Sequence, residues 1–281
     1  MTADSTLRTP PSGPRDRQAH VRFDRAANRY EQHAGVQVAI ARRLAAQIAD
    51  QPLPEQPRIL EIGCGTGLLT RQLAARIPLA DWTITDLAPA MLTRAQDTLR
   101  LGGNARFRVL DGEHPDLPAC SFDLICSSMA LQWFTDPGRG LLRLAGLLAP
   151  GGCLAVAVPV RGSWPEWQQA HDSLGLTPAT LLFPCAQAIR LPAGPLSGGV
   201  RIEPFQDDCG NALGFLRALK GIGATTPRPG SRPLTVSQLR QVCAAFDRTG
   251  ARCTYRIAFG LWHRTPGRTR TGHADGTRHD L

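Results

Sequence analysis

The chain has almost no lysine. Of its 32 basic residues only Lys220 is a lysine and the other 31 are arginines, set against 23 acids for a formal charge of +9. A compact ammonium and a planar guanidinium are not interchangeable. The lone lysine is therefore weighed as a functional group against a plainer reading, a codon bias that replaces Lys wherever Arg will serve. Paired cysteines are missing too. Cys64, Cys120, Cys126, Cys153, Cys185, Cys209, Cys243 and Cys253 form no C-x-x-C and no Cys/His cluster with zinc spacing, so neither a metal site nor a disulfide framework is expected. Several lie in apolar strand-like runs, where Cys behaves as a small hydrophobe, and reduced thiols in a reducing compartment are the expectation. No apolar run approaches the roughly 20 residues that span a bilayer. The polar, Pro/Arg-rich stretch from Met1 to Arg22 has no apolar h-region, so no secretory leader is expected. These absences point to a cytoplasmic protein with no membrane partner. The positive balance implies attraction to something acidic: a nucleic acid, an acidic carrier protein or an anionic small substrate.

What is present is an alternation of strand-like and helix-like segments, the pattern of an α/β sheet covered by helices. Residues 1–20 and 264–281 read as disordered tails around one domain at 21–263. Phe23 to Ala49 is helical, with Val36, Ile40, Leu44 and Ile48 four apart on one face. Strands are expected at Arg58–Ile62, Trp82–Thr85, Phe107–Leu110, Phe122–Ser127 and Cys153–Val158, with helices at Leu68–Arg76, Pro89–Leu99 and Leu141–Leu148 between them. Pro150-Gly151-Gly152 reads as the turn into the fifth strand. Residues 162–198, rich in Pro, Gly and Trp, look like an insertion with short helices. Val200–Phe205, Ala212–Lys220, Ser237–Phe246 and Cys253–Trp262 follow as strand, helix, helix and last strand.

The chemistry concentrates after the first strand. Glu61-Ile62-Gly63-Cys64-Gly65-Thr66-Gly67 is an acid followed by glycines at alternate positions, opening onto a helix N-terminus. Glycine serves where backbone takes positive φ or comes close to a ligand, and the helix N-terminus favours a carboxylate. A dinucleotide fingerprint needs G-x-G-x-x-G, but Leu68 occupies the last position; a phosphate-binding loop needs G-K-[ST], also absent. Asp86 ends the second strand 25 positions beyond Glu61, where a carboxylate can accept both ribose hydroxyls of an adenosine. Asp111-Gly112 ends the third, where the acid can face an adenine amino group. Singly, each acid is an ordinary solvated loop residue. In order, each capping a strand on one sheet edge, they form a specific constellation.

The run LEIGCGTG at 60–67, Asp86, Asp111-Gly112, FDLICSS at 122–128 and LAPGG at 148–152 resemble the class I S-adenosylmethionine-dependent methyltransferases. That resemblance implies a Rossmann-like seven-stranded, mostly parallel sheet with an antiparallel last strand, helices on both faces and an N-terminal helix over the cofactor. It implies S-adenosylmethionine as cofactor, bound by Glu61, Gly63, Cys64, Gly65, Gly67, Asp86, Leu87, Met91, Asp111, Gly112 and Ser127. A narrower resemblance rests on FDRAANRYEQHAGVQ at 23–37, SSMALQWF at 127–134, GSWPEWQQA at 162–170 and LKGIGAT at 219–225. Together these are similar to the malonyl-acyl-carrier-protein O-methyltransferase family of biotin biosynthesis. Segment 175–200 and the tail after Arg264 depart from that pattern.

This family implies methylation of the free carboxylate of a malonyl thioester, removing a charge that apolar tunnels of chain-elongating enzymes would reject. Its partner would be malonyl-acyl-carrier protein, or malonyl-coenzyme A, and a basic face would steer an acidic carrier. A carboxylate with a pKa near 4 is already ionised, so no general base is needed, only positioning and exclusion of water. Tyr30, His33, Gln132, Trp133 and Lys220 are the positioning candidates, with Lys220 or a nearby Arg as the cation for the carboxylate. The competing reading for Lys220 is a helix end, with Gly221 at the turn and the ammonium complementing the dipole. Two other functions compete: a methyltransferase of free dicarboxylic acids or quinone precursors, and a silent relative that only binds cofactor. A nucleic-acid methyltransferase is disfavoured, since no N-P-P-Y-like tetrad and no Arg/aromatic appendage stands out.

Overall fold

Val36, Ile40, Leu44 and Ile48 are all buried along one side of helix α1, Gly35–Ala49. The computed structural model describes residues 21, 23–24, 30–101, 104–192, 194–225, 227–228 and 230–266. The helix expected to run unbroken from Phe23 is interrupted. Tyr30–His33 is a 3-10 turn, and Ala34, fully buried at φ −101 and ψ 30, separates it from α1. Residues 1–20 and 267–281, within the expected tails, lie outside the described residues, as do 25–29.

After α1 the chain runs β1 Arg58–Ile62, α2 Leu68–Ala74, β2 Asp81–Asp86, α3 Pro89–Thr98, β3 Ala105–Val109 and β4 Phe122–Ser128. Then come α4 Pro137–Gly146, β5 Leu148–Pro159, α5 Pro165–Asp172, β6 Leu196–Asp208, α6 Ala212–Gly221, α7 Val236–Asp247 and β7 Arg252–Arg264. Short 3-10 turns stand at Leu131–Trp133 and Ala186–Ile189. The seven strands form one sheet in the order β3-β2-β1-β4-β5-β7-β6. β1 to β5 are parallel, and β7 runs antiparallel to both β5 and β6. This is the Rossmann-like sheet expected, its last strand antiparallel.

Alternation along the strands feeds two cores. Ile59, Leu124, Cys126, Cys153, Ala155 and Ala157 pack with side chains of α1, α2, α3, α6 and α7. Leu60, Ile62, Ile125, Leu154, Val156 and Val158 pack with α4 on the other face. The strand order reverses between β1 and β4, and the crevice at their carboxyl ends is where such sheets bind ligands.

Several boundaries differ from expectation: β3 runs Ala105–Val109 rather than Phe107–Leu110, α4 Pro137–Gly146 rather than Leu141–Leu148, and α2 stops at Ala74 rather than Arg76. Pro150-Gly151-Gly152 is not a turn ahead of a strand: α4 stops at Gly146 and β5 already begins at Leu148. The three residues form an irregularity inside β5, where pairing with β4 jumps from Phe122↔Leu148 to Leu124↔Cys153. β6 and β7 are 13 residues each, longer than read, because they pair with each other from Leu196↔Arg264 to Asp208↔Arg252. Arg264, taken as the start of a tail, therefore closes β7, and its Nη1 donates to the Leu148 carbonyl at 2.5 Å. Among the described residues no helix is long and apolar enough to cross a membrane.

Candidate functional site

β1 ends at Ile62, and the chain turns through Gly63-Cys64-Gly65-Thr66-Gly67 into α2. Gly63 is required twice over: its φ is +66, and a Cβ there would run into the Ala130 side chain. Gly63, Cys64 and Gly65 line a cavity of ≈ 1020 Å³ together with Glu61, Asp86, Leu87, Met91, Asp111 and Gly112. Its lining runs from Phe23 to Phe134 and draws on several elements, a wall suited to a small molecule rather than an ion. Two residues expected with them stand elsewhere. Gly67 caps α2 at φ +86 and faces Leu99. Ser127 is buried and donates its hydroxyl to the Ile62 carbonyl at 2.8 Å. Its neighbour Ser128 lines the cavity instead, since successive strand residues face opposite sides.

The acids are held by backbone. Asp86 accepts from the N–H of Gly65 and of Ala88, each at 2.8 Å, tying the glycine loop to the start of α3. Asp111 accepts from Glu113 N–H at 2.9 Å, and its other oxygen lies 3.1 Å from His114 Nδ1. Glu113, which sequence reasoning missed, also lines the cavity and accepts from the N–H of Thr135 and Asp136 at 2.7 and 2.8 Å. It thereby joins the segment after β3 to the segment after β4.

Burial raises the Asp86 carboxyl above its ordinary range despite these N–H donors. Burial pushes Glu61 up to about 8, the nearby Asp86 adding to the rise while the Thr70 hydroxyl, donating at 2.5 Å, opposes it. No Arg or Lys among the described residues lines this cavity. Two desolvated carboxyls without a protein cation suit a ligand that brings its own positive charge and hydroxyl donors. A nucleoside joined to a sulfonium and an ammonium is such a ligand, and the bare backbone at Gly63 and Gly65 leaves room for it.

A second cavity of ≈ 460 Å³ adjoins the first, and Phe23, Tyr30, Gln37, Met129 and Trp133 line both. Its remaining wall is Gln132, Pro159, Trp164, Leu181, Phe183, Ile222, Ala224 and Tyr255. The Phe23 ring stands edge-on to Trp133, 5.2 Å between centroids, and Asp24 accepts from Ala90 N–H at 2.9 Å, so the N-terminal segment is pinned across the opening. Burial, with Asp86 close by, keeps the Tyr30 hydroxyl protonated.

Of the five positioning candidates, Tyr30, Gln132 and Trp133 meet here, and His33 and Lys220 do not. The His33 ring lies against Gly221, where any Cβ would collide with it. Lys220 is exposed in the last turn of α6, where its charge complements the helix dipole. Its motif serves the site differently, since Ile222 and Ala224 supply wall.

Sequence reasoning missed Gln37, Met129, Trp164 and Tyr255. Gln37 left a trace, a polar residue three and four positions before Ile40 and Ala41 on the buried stripe of α1. Met129 holds a φ of +59, uncommon for a side-chain-bearing residue. Two buried side-chain atoms in this wall have no hydrogen-bond partner among the described residues: Gln37 Oε1 and Gln132 Oε1.

Residues 59–152 match a family model described as a methyltransferase domain. The chain is 51% identical over 261 residues to the biotin biosynthesis bifunctional protein BioCD of Bordetella avium (strain 197N), covering 93% of this chain but 55% of that protein. The chain thus spans little more than half the length of that relative. It is 36% identical over 248 residues to the malonyl-acyl-carrier-protein O-methyltransferase of Magnetococcus marinus, covering 86% of this chain and 91% of that one. Among solved structures, the (4+2)-cyclase SpnF superposes with a TM-score of 0.52 at 18% identity, over 80% of this chain and 81% of that one. At that identity the likeness speaks for the fold alone, and a cyclase on this scaffold shows that fold does not choose the reaction.

Proposed function

The chain belongs to the malonyl-acyl-carrier-protein O-methyltransferase family, and from that membership we propose that it transfers a methyl group from S-adenosylmethionine to the free carboxylate of a malonyl thioester. One observation carries the reading. All four stretches behind the narrower resemblance contribute wall to the second cavity: Phe23, Tyr30 and Gln37 from the first, Met129, Gln132 and Trp133 from the next, Trp164, then Ile222 and Ala224. Residues that lie about two hundred positions apart line one space beside the acid-lined cavity.

The cofactor supplies a methyl carbon on a sulfonium, an electrophile that needs an in-line nucleophile. In this reading the glycine loop and the N-terminus of α2 receive its amino-acid end, Asp86 its ribose, and Asp111 with Met91 its base. The acceptor is ionised near pH 7, with a carboxyl pKa of about 4, so no side chain has to take a proton. Tyr30, Gln37, Met129 and Trp133, shared by both cavities, are the residues that set the carboxylate against the methyl group and keep water out. The neutral lining of the second cavity fits that task, because a guanidinium or ammonium paired to the carboxylate would stabilise its charge and blunt it as a nucleophile.

The acyl-carrier protein is proposed as the carrier of the malonyl group, its acidic surface drawn to an arginine-rich chain. The test is methyl-ester formation by the purified chain on malonyl-acyl-carrier protein, malonyl-coenzyme A and free malonate, together with growth of a biotin-requiring strain lacking this methyltransferase. Turnover of the carrier-bound thioester and restored growth are expected. Preference for a free acid, or no growth, would reject the reading.

A further inference from the structure

Charge changes in order along three adjoining cavities. The first carries acids and no Arg or Lys among the described residues, and the second is neutral. A third shares Trp164, Leu181 and Phe183 with the second, and the exposed Arg161 lines it. The Arg161 N–H donates to Pro184 O at 2.9 Å, next to the segment that supplies Leu181, Leu182 and Phe183.

A second guanidinium lies beside this cation. Gly162 holds φ +90, and a Cβ there would come within 2.7 Å of Arg256 Nη1 and 3.1 Å of Arg256 Cδ. The Arg256 side chain thus lies across the bare backbone of the residue that follows Arg161. Val160 N–H donates to Arg256 O and Arg256 N–H to Ser163 Oγ, each at 2.9 Å, which fixes the loop against β7. Neither guanidinium has an ion pair among the described residues. The acids of this region are engaged elsewhere. Glu166 accepts from Thr254 N–H at 3.0 Å and from its hydroxyl at 2.5 Å, and Asp172, at the far end of α5, accepts from Gln168 Nε2 at 2.7 Å.

Two neighbouring like charges without a counter-charge raise each other's energy, and an anion beside them removes that cost. The guanidinium fork matches the oxygens of a phosphate. A malonyl thioester brings such a group. Acyl-carrier protein and coenzyme A both hold the acyl group through a pantetheine arm that ends in a phosphate. Carboxylate, neutral arm and phosphate therefore follow one another along either substrate. With the carboxylate set against the methyl group at the wall between the first and second cavities, the arm leads away toward the third. We propose that the pantetheine arm lies in the third cavity and that Arg161 and Arg256 bind its phosphate. This rests on the malonyl-thioester reading. The remaining lining suits such an arm: Trp167, Leu181 and Leu182 can cover its methyl groups, and Ser163, Gln168 and Gln169 can bond its amides. It also gives Gly162 a purpose, since any side chain there would displace Arg256.

Steady-state kinetics of the whole chain on malonyl-pantetheine, malonyl-4′-phosphopantetheine, malonyl-coenzyme A and malonyl-acyl-carrier protein test this. In the wild type the phosphate lowers KM about tenfold or more, the scale of one hydrogen bond to a charged group. Arg161→Ala and Arg256→Ala each remove most of that advantage. They leave kcat, the Kd for S-adenosylmethionine and the KM for malonyl-pantetheine within about twofold of wild type. The loss is similar for the three phosphorylated thioesters, because the arm is common to them. No phosphate advantage in the wild type, or variants that keep it, overturns the proposal. A loss confined to the carrier protein also overturns it, since the arginines would then meet the carrier's surface instead of the arm. Should a variant misfold, a crystal structure of the wild-type chain with S-adenosylhomocysteine and malonyl-4′-phosphopantetheine decides the point, and a phosphate away from Arg161 and Arg256 refutes it. Turnover of malonyl-pantetheine without any gain from the phosphate defeats this inference alone; absence of turnover on every malonyl thioester brings down the underlying reading with it.

Discussion

The acid-bearing wall of the first cavity follows the carboxyl ends of β1, β2 and β3 in one sheet, whereas the second draws its own wall from segments near residues 132, 159–183 and 222–255. The two share Phe23, Tyr30, Gln37, Met129 and Trp133. They also differ in chemistry. The first has four acids, Glu61, Asp111 and Glu113 buried and Asp86 half-buried, and glycines at positive φ; the second has neutral amides, indoles and phenols and shares Met129, itself at positive φ, with the first. A cavity that receives a charged ligand keeps counter-charge in the protein. One that orients an already charged nucleophile does better with neutral donors, which position it without neutralising it. On the proposed function the first cavity takes the cofactor and the second the acceptor, and substitutions should separate the two.

The largest effect is expected at Gly63. Gly63→Val places a β-branched side chain at φ +66 against Ala130, a cost on the order of 3 kcal/mol and hence about 100-fold or more in the Kd for S-adenosylmethionine. Calorimetric titration reads it directly, and unaltered affinity would detach the loop from the cofactor.

Next comes pH. In the ligand-free protein Glu61 is protonated below about 8, and a bound cation favours its carboxylate, so binding releases a proton. Affinity should tighten by up to about tenfold per pH unit on approaching pH 8 and level off above it, and Glu61→Gln should flatten the dependence. Titrations in buffers of different ionisation heat measure the released proton directly. The raised pKa also means that the ligand-free native state binds more protons than the unfolded chain. Its stability should fall as pH rises from the ordinary carboxylate range toward 8, visible as a decreasing Tm.

A smaller effect is expected at Gln132, which lines the second cavity and not the first. Gln132→Ala should raise the KM for the acyl acceptor roughly fivefold and leave the Kd for S-adenosylmethionine in place; equal loss of both would erase the division between the cavities. The smallest belongs to Lys220→Ala. With the side chain exposed at the end of α6, kcat/KM should stay within about twofold.

Legibility followed how local each feature is. Arg58–Ile62 was readable to the residue, since a strand, an acid and a glycine turn into a helix are specified by neighbours in sequence. Asp86 and Asp111 were readable because parallel strands repeat that unit. Ser127 was not, because the choice between it and Ser128 depends on which side of β4 carries the cavity, a matter of pleat and register rather than composition. His33 and Lys220 misled for a related reason. A histidine three residues from a tyrosine, or the only lysine of a chain, signals chemistry only if the fold turns it inward, and Gly221 and the end of α6 hold these two elsewhere. The turn at Pro150-Gly151-Gly152 was real as local backbone, Gly151 lying at φ +80, but pairing between β4 and β5 absorbed it into a strand.

By itself the sequence pattern determined the alternating α/β order and the acid-tipped sheet edge, because periodicity, glycine conformation and strand-end acids act over a few residues, while the antiparallel last strand followed from the family resemblance. Only the tertiary structure decided which polar side chains would be buried without partners, and that Gln37 and Gln132 would be two of them around one space. The physical reason is desolvation. Whether a polar atom costs nothing or demands a ligand depends on what the remainder of the chain packs over it, and no window of sequence contains that information.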